Sequence, residues 1–173
     1  MKSTMKIHLL LLCGLSCVLF AGCYTLKGIS IDPRVNTFSI SIFETTANNA
    51  PPTIGVDFTE LLKDKMRSET RLKLRSDSID VQFSGKIVDF RVVPVAPKPG
   101  ELVELNQLVV VVQVSAENLT DNPEIKWPKE KSFSHFAEFS SQTDLLSVQD
   151  QLLQQTIYPQ LLEDIFNYFF NDW

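Results

Sequence analysis

Apolar and polar residues alternate from Thr37 to Phe43, with Phe38, Ile40 and Ile42 on one face and Thr37, Ser39 and Ser41 on the other. A period of two marks a half-buried strand. The loop 44–52 is rich in Thr, Ala and Asn and closes with Pro51-Pro52. The period then lengthens. Ile54, Phe58, Leu62 and Met66 recur at helical spacing with Leu61 beside them, while Lys63, Asp64 and Arg67 fall on the outer side. Thr53 is placed to cap this helix, and Gly55 weakens only its first turn.

Leu72 and Leu74 alternate with Arg71, Lys73 and Arg75, a short extended piece with one basic face. Beyond Ser76-Asp77-Ser78, residues 79–95 read as a long strand. Ile79, Val81 and Phe83 share one face, whereas Val88, Phe90 and Val92 follow the opposite count, which predicts a bulge at Gly85. Three prolines and a glycine in 94–100 end that strand. Residues 105–116, centred on Val109-Val110-Val111-Val112, are apolar on both faces and predict a central strand. After a polar loop over 118–131, Phe133, His135, Ala137 and Phe139 share a face of a fourth strand. Ser147, with Asp150 three residues on, predicts a capping box. A final helix follows, with stripes Leu153, Ile157, Leu161, Ile165, Phe169 and Leu162, Phe166, Phe170. Pro159 breaks its backbone bonding and predicts a kink near Gln155. The order is β-α-β-β-β-α. A sheet needs cover on at least one face, so the expected fold class is α/β (α+β), a two-layer sandwich with two helices on one face of a four-stranded mixed sheet.

The first 22 residues stand apart from this pattern. Lys2 and Lys6 precede an apolar run from Ile7 to Phe20, too short to span a bilayer, which ends at Phe20-Ala21-Gly22-Cys23. Small residues directly before a cysteine resemble a bacterial lipobox, in which the thiol takes a diacylglycerol and the signal is cleaved before it. Residues 1–22 are then a cleaved lipoprotein signal, 23–36 a lipidated lead, and 37–173 one domain. Cys13 and Cys17 leave with the signal, so Cys23 is the one thiol of the mature chain. This excludes a disulfide framework and thiolate chemistry. Two or more acyl chains, at about 0.8 kcal/mol per buried methylene, hold a protein stably at a membrane.

Loss of the signal takes the formal charge from −5 to −7, an acidic balance that argues against general nucleic-acid binding. Candidate chemistry is sparse. His135 is the only histidine of the mature chain, placed among aromatics, and reads first as a structural residue. The glycines are scattered, so no phosphate loop is present. No metal set and no cofactor are expected, and the sequence argues against an enzyme. Two features suit binding. Arg71, Lys73 and Arg75 form a cationic strip fit for phosphates, or equally a solvated edge that deters sheet-to-sheet aggregation. Lys126, Trp127 and Lys129 combine an aromatic with cations, fit for a partner or a lipid headgroup, or for covering the end of the core. Asp77-Ser78-Ile79 resembles a short O-glycosylation motif of exported Bacteroidota proteins.

An ordered set of short stretches covers nearly all of 23–173: Gly22-Cys23-Tyr24 leading into Asp32-Pro33, the strand to Phe43, Glu60-Leu61-Leu62-Lys63-Asp64-Lys65, and Thr70-Arg71-Leu72-Lys73-Leu74. It continues with Phe83-Ser84-Gly85, Val92-Val93-Pro94-Val95, Leu105-Asn106, Glu163-Asp164-Ile165-Phe166-Asn167 and Trp173. In this the chain resembles the LptE family of lipopolysaccharide-assembly lipoproteins in its Bacteroidota form, with Pro159 as a departure. The resemblance implies an outer-membrane lipoprotein, lipid-anchored on the periplasmic side, that plugs and helps assemble the LptD β-barrel, with lipopolysaccharide a possible ligand. It implies two helices on a four-stranded sheet, and binding in place of catalysis. Only the lipidated Cys23 carries over by position. Arg71, Lys73, Arg75, Lys126, Trp127 and Lys129 are candidates for barrel or anionic-lipid contacts from their chemistry alone. Two alternatives are an accessory of another envelope transport or secretion machine and a lipid-anchored hydrolase built on His135.

Overall fold

Three long antiparallel strands, a βαβ unit and a terminal helix make up the computed structural model, which describes residues 31–96 and 104–171. The elements are β1 (Thr37–Ile40), β2 (Glu44–Thr45), α1 (Ile54–Glu69), β3 (Lys73–Leu74), β4 (Val81–Val95), β5 (Leu105–Asn118) and β6 (Lys131–Ser140). They are followed by α2 (Leu145–Leu152), a π turn (Leu153–Ile157) and α3 (Tyr158–Phe170). The sheet runs β3-β1-β4-β5-β6, with β2 also paired to β4, so it has six strands among the described residues where four were expected. The two extra strands are two residues long: β3 falls within the short extended piece read at 71–75, and β2 lies in what reads as the loop 44–52. β1 lies parallel to β3 and β4, and α1 supplies the crossover that parallel strands require. β4, β5 and β6 form an antiparallel meander.

The phase change in β4 is real but lies elsewhere than at Gly85. Val81, Phe83 and Ile87 are fully buried on one count, and Phe90 resumes on the other. The ladder to β5 shifts between Ile87 and Asp89, so Val88 is the extra residue. Gly85 pairs regularly with Val114 and answers a different need: a Cβ there would stand 2.5 Å from both the Phe43 ring and the Gln113 carbonyl oxygen. An aromatic ring packs directly on the glycine backbone.

The helix stripe of α1 is buried as its spacing demands, Ile54, Phe58, Leu62 and Met66 all facing the sheet. Thr53 flanks the helix without a side-chain cap bond. Thr59 is the one buried polar residue among those described. Its Oγ1 donates to the Gly55 carbonyl at 2.6 Å and accepts the Phe43 N–H at 2.9 Å, which ties α1 to the strand edge. The last helix starts earlier than the proposed capping box. Asp144 caps it by accepting the Leu146 N–H, and Ser147 Oγ donates back to the Asp144 carbonyl. Pro159 cannot donate to Gln155, and the backbone answers with a π turn in which Tyr158 N–H reaches Leu153 O. The helix thus passes the proline without ending, and buries Leu161, Leu162, Ile165, Phe166, Phe169 and Phe170. Each such apolar side chain contributes roughly 1.5–3 kcal/mol.

Both helices share one core. Lys65 bridges them, pairing with Glu69 at 2.8 Å and with Glu163 of α3 at 2.7 Å. Burial works against its ammonium, but the two carboxylates outweigh that and raise its pKa. The other sheet face carries no helix among the described residues. Polar pairs ring it: Gln82–Ser41, Ser84–Ser115, Gln107–Glu138 and Gln113–Glu130, all within 3.0 Å. At its centre half-buried Val109 and Val111 adjoin Phe136, which is 50% exposed.

Candidate functional site

Cys23 and the signal segment lie outside the described residues, but the lead that joins them to the body is visible from Ile31. It is fastened at three points. Arg34 reaches Glu124 of the body at 3.5 Å and pairs with Asp32 at 2.7 Å, which draws the Asp32 carboxyl down to about 2. The Asp80 carboxylate accepts the backbone N–H groups of Asn36 (2.7 Å) and Thr37 (2.9 Å). Arg71 supplies the third hold. Its Nη1 donates to Val35 O at 2.7 Å and Asn36 Oδ1 at 3.1 Å, and its Nη2 donates to Asp32 O at 2.7 Å.

The structure therefore divides the basic strip. Arg71 spends its guanidinium on backbone carbonyls, a use that sequence spacing does not reveal. Lys73 and Arg75 form no ion pair among the described residues and stand exposed at the β3 edge. Lys126, Trp127 and Lys129 lie on the far side of the lead. Trp127 is half-buried, edge-on to Phe83 (5.5 Å between centroids) and Phe170 (5.8 Å), so its ring closes the end of the core. Its Nε1–H has no hydrogen-bond partner among the described residues. With Lys126, Ile31, Tyr168 and Asn171 it lines an open cavity of about 590 Å³. Lys126 and Lys129 are exposed, and the Lys129 carbonyl accepts the Tyr168 hydroxyl at 3.0 Å. Asp77-Ser78-Ile79 forms an exposed turn with Ser78 at φ +51°.

The hydrogen bonds to Asp80 hold its carboxyl below the ordinary 3.8, that from Asn36 N–H first. A depressed folded-state pKa contributes stability that is present above the unfolded value and lost as pH falls through the folded one. The Asn36 and Thr37 amides are therefore expected to lose hydrogen-exchange protection as pH drops below 3.8. Asp80→Asn should remove that pH dependence; protection unchanged down to pH values below the folded pKa would refute the Asp80 tie.

His135 Nε2 lies 2.7 Å from Asp164 Oδ2, a partly exposed contact between β6 and α3. No serine hydroxyl bonds it among the described residues, and no three His, Cys, Asp or Glu side chains there form a metal-binding group. A His135→Ala change is expected to lower stability by about 0.5 kcal/mol and to leave function intact. Loss of function in a folded His135→Ala protein would instead restore the hydrolase alternative.

Pattern reading missed the open sheet face. Val109 and Val111 read as the core of a central strand, and Phe136 drew no notice because its face neighbours are Ser134 and Glu138.

Comparison with solved structures finds distant likenesses. The minor lipoprotein from Acinetobacter baumannii is 13% identical, over 76% of this chain and 90% of that one, with a TM-score of 0.48. The rare lipoprotein B from Shewanella oneidensis is 9% identical over 77% and 90%, with a TM-score of 0.40. An uncharacterized lipoprotein B from Nitrosomonas europaea is 16% identical over 80% and 88%, at 0.42. No curated protein matches. The assignment rests instead on sequence: the model of the LptE family, described as lipopolysaccharide-assembly, matches residues 35–169, most of the chain. The chain belongs to the LptE family.

Proposed function

We propose that the protein is an outer-membrane lipoprotein, lipidated on Cys23 after removal of residues 1–22, that serves as plug and assembly partner of an LptD-type β-barrel. The observation that carries this reading is the family match over residues 35–169. One feature of the geometry supports it: the sheet face that no described helix covers joins an apolar centre at Val109, Val111 and Phe136 to a ring of paired polar side chains. Such a face suits the wall of a barrel lumen, where apolar contact needs a satisfied polar rim. Lipopolysaccharide contact would fall to cations such as Lys126 and Lys129, with Trp127 beside them.

The test is purification of the tagged full-length protein from its own membranes in mild detergent, with partners identified by mass. A stoichiometric outer-membrane barrel of the LptD type is the expected result. Recovery of the chain alone, or with an unrelated transporter, would overturn the assignment. Cys23→Ala is expected to abolish incorporation of labelled fatty acid into the protein, because Cys23 is the residue that would carry the lipid. Labelling of the Cys23→Ala protein would refute the lipid anchor at that position.

A further inference from the structure

The β1 edge of the sheet is left unfinished. Lys73 N–H donates to Asn36 O and Arg75 N–H donates to Phe38 O, so the even-numbered residues of β1 turn their backbone groups away from β4. Ser41 N–H meets Phe83 O on the other side, which fixes the alternation. By this count Ile40 also faces outward, and no described residue bonds its outer groups or the backbone groups of Ile42, which lies past the end of β1 where the register to β4 slips by one residue. β3 ends after Leu74, and the chain turns off through Arg75 and Ser76. Further along, the Phe43 N–H is taken by Thr59 of α1. The uncovered stretch is thus Ser39–Ile42, about 13 Å of open strand at 3.3 Å per residue. An open groove of about 530 Å³ lies where β3 would have continued, lined by Ser39, Ile40, Leu74, Arg75, Lys63 and Ile79.

The two sides of this edge differ in chemistry. Leu74 pairs in register with Phe38 and so shares the face of Ile40. Leu74 is 38% exposed and Ile42 61%. Lys73 and Arg75 alternate onto the opposite face with Ser39 and Ser41, and neither has a carboxylate partner among the described residues. An exposed edge with unpaired N–H and C=O groups is a template for another strand. A second copy of this chain is disfavoured there, because it would bring Lys73 and Arg75 against their own counterparts. In a protein of net charge −5, two free cations at this edge select the opposite sign.

We propose that the β1 edge over Ser39–Ile42 takes an extended segment of a partner protein as an added strand, one whose acidic and apolar residues alternate. Backbone bonds form with Ile40 and Ile42. Apolar side chains of the segment cover Ile42 and Leu74, and its carboxylates meet Arg75 and Lys73. The period of two in the segment is required because the two faces of the edge demand different chemistry.

The probe is a capped hexapeptide of alternating Glu and Val, titrated into the full-length protein in detergent micelles. Its Lys-for-Glu counterpart and phosphatidylglycerol vesicles serve as comparison arms. The Glu-Val peptide is expected to bind with a Kd below millimolar and to protect the Ile40 and Ile42 amides from hydrogen exchange. Lys73→Glu together with Arg75→Glu should weaken it at least tenfold with the thermal midpoint unchanged, since neither side chain has an internal ion partner. Equal binding by the Lys-Val peptide would overturn the proposal. So would absence of protection at Ile40 and Ile42, or protection by the vesicles alone, which would assign the cations to a lipid headgroup.

Discussion

Replacing Gly55 with alanine is expected to lower the thermal midpoint by roughly 10 °C, the opposite of what helix propensity predicts. In isolation the change favours a helix by about 1 kcal/mol. In the structure the new Cβ would stand 2.2 Å from the Phe43 carbonyl oxygen, with Thr45 Oγ1 at 3.1 Å. The obstacle is backbone, so it cannot be relieved by a rotamer change. The first turn of α1 must back away from the strand edge, and that movement stretches the Thr59 bond to Phe43 N–H. Overpacking of this kind costs about 1–3 kcal/mol, and the strained buried hydrogen bond adds to it. A net loss of about 3 kcal/mol corresponds to the stated midpoint shift for a chain of this size. An unchanged or higher midpoint in a calorimetric scan would show that α1 does not dock on Phe43 as described.

Phe83→Ala is expected to cost about 3–5 kcal/mol, read as a lower urea midpoint with an unchanged slope. Phe83 is fully buried and lies within 6 Å, centroid to centroid, of Trp127, Phe169 and Phe170. Its removal leaves a void between β4, the loop bearing Trp127 and the end of α3, three elements that cannot collapse together. Trp127 fluorescence should shift in the folded state, since its ring would lose the Phe83 edge. A loss under about 1 kcal/mol would mean that α3 is not seated on the sheet there.

The long elements were legible because their periodicity is the imprint of burial. The stripe Ile54–Phe58–Leu62–Met66 and the valine run of β5 could be read directly, and the structure buries the whole stripe and, of the run, Val110 and Val112. Short elements leave no such imprint. β2 owes its pairing to a neighbour already in place, and the alternation at 71–75 marks an extended piece without showing that β3 joins the sheet. The bulge in β4 was signalled by the change of phase, but Gly85 drew the assignment because glycine can mark a bulge as well as a close ring contact. Only the fate of Ile87 separates the two. The candidate site was less legible still. Arg71, Lys73 and Arg75 are alike in sequence, and only three-dimensional proximity to the Asp32 and Val35 carbonyls gives Arg71 a separate task. The open edge of β1 was invisible because it depends on where β3 stops.

The fastening of the lead also has a mechanical side. Any tension from upstream of Ile31 reaches the body along β1, a strand held on both flanks by parallel neighbours. A pull along its axis loads both ladders in shear at once instead of peeling one bond after another. Arg71 meets that load first, and it sits one residue beyond Thr70, the end of α1. Tension is thereby shared between the helical layer and the sheet before a ladder bond must yield. A lipid on Cys23, as proposed, could therefore tug at this protein without fraying the edge proposed to take an added strand.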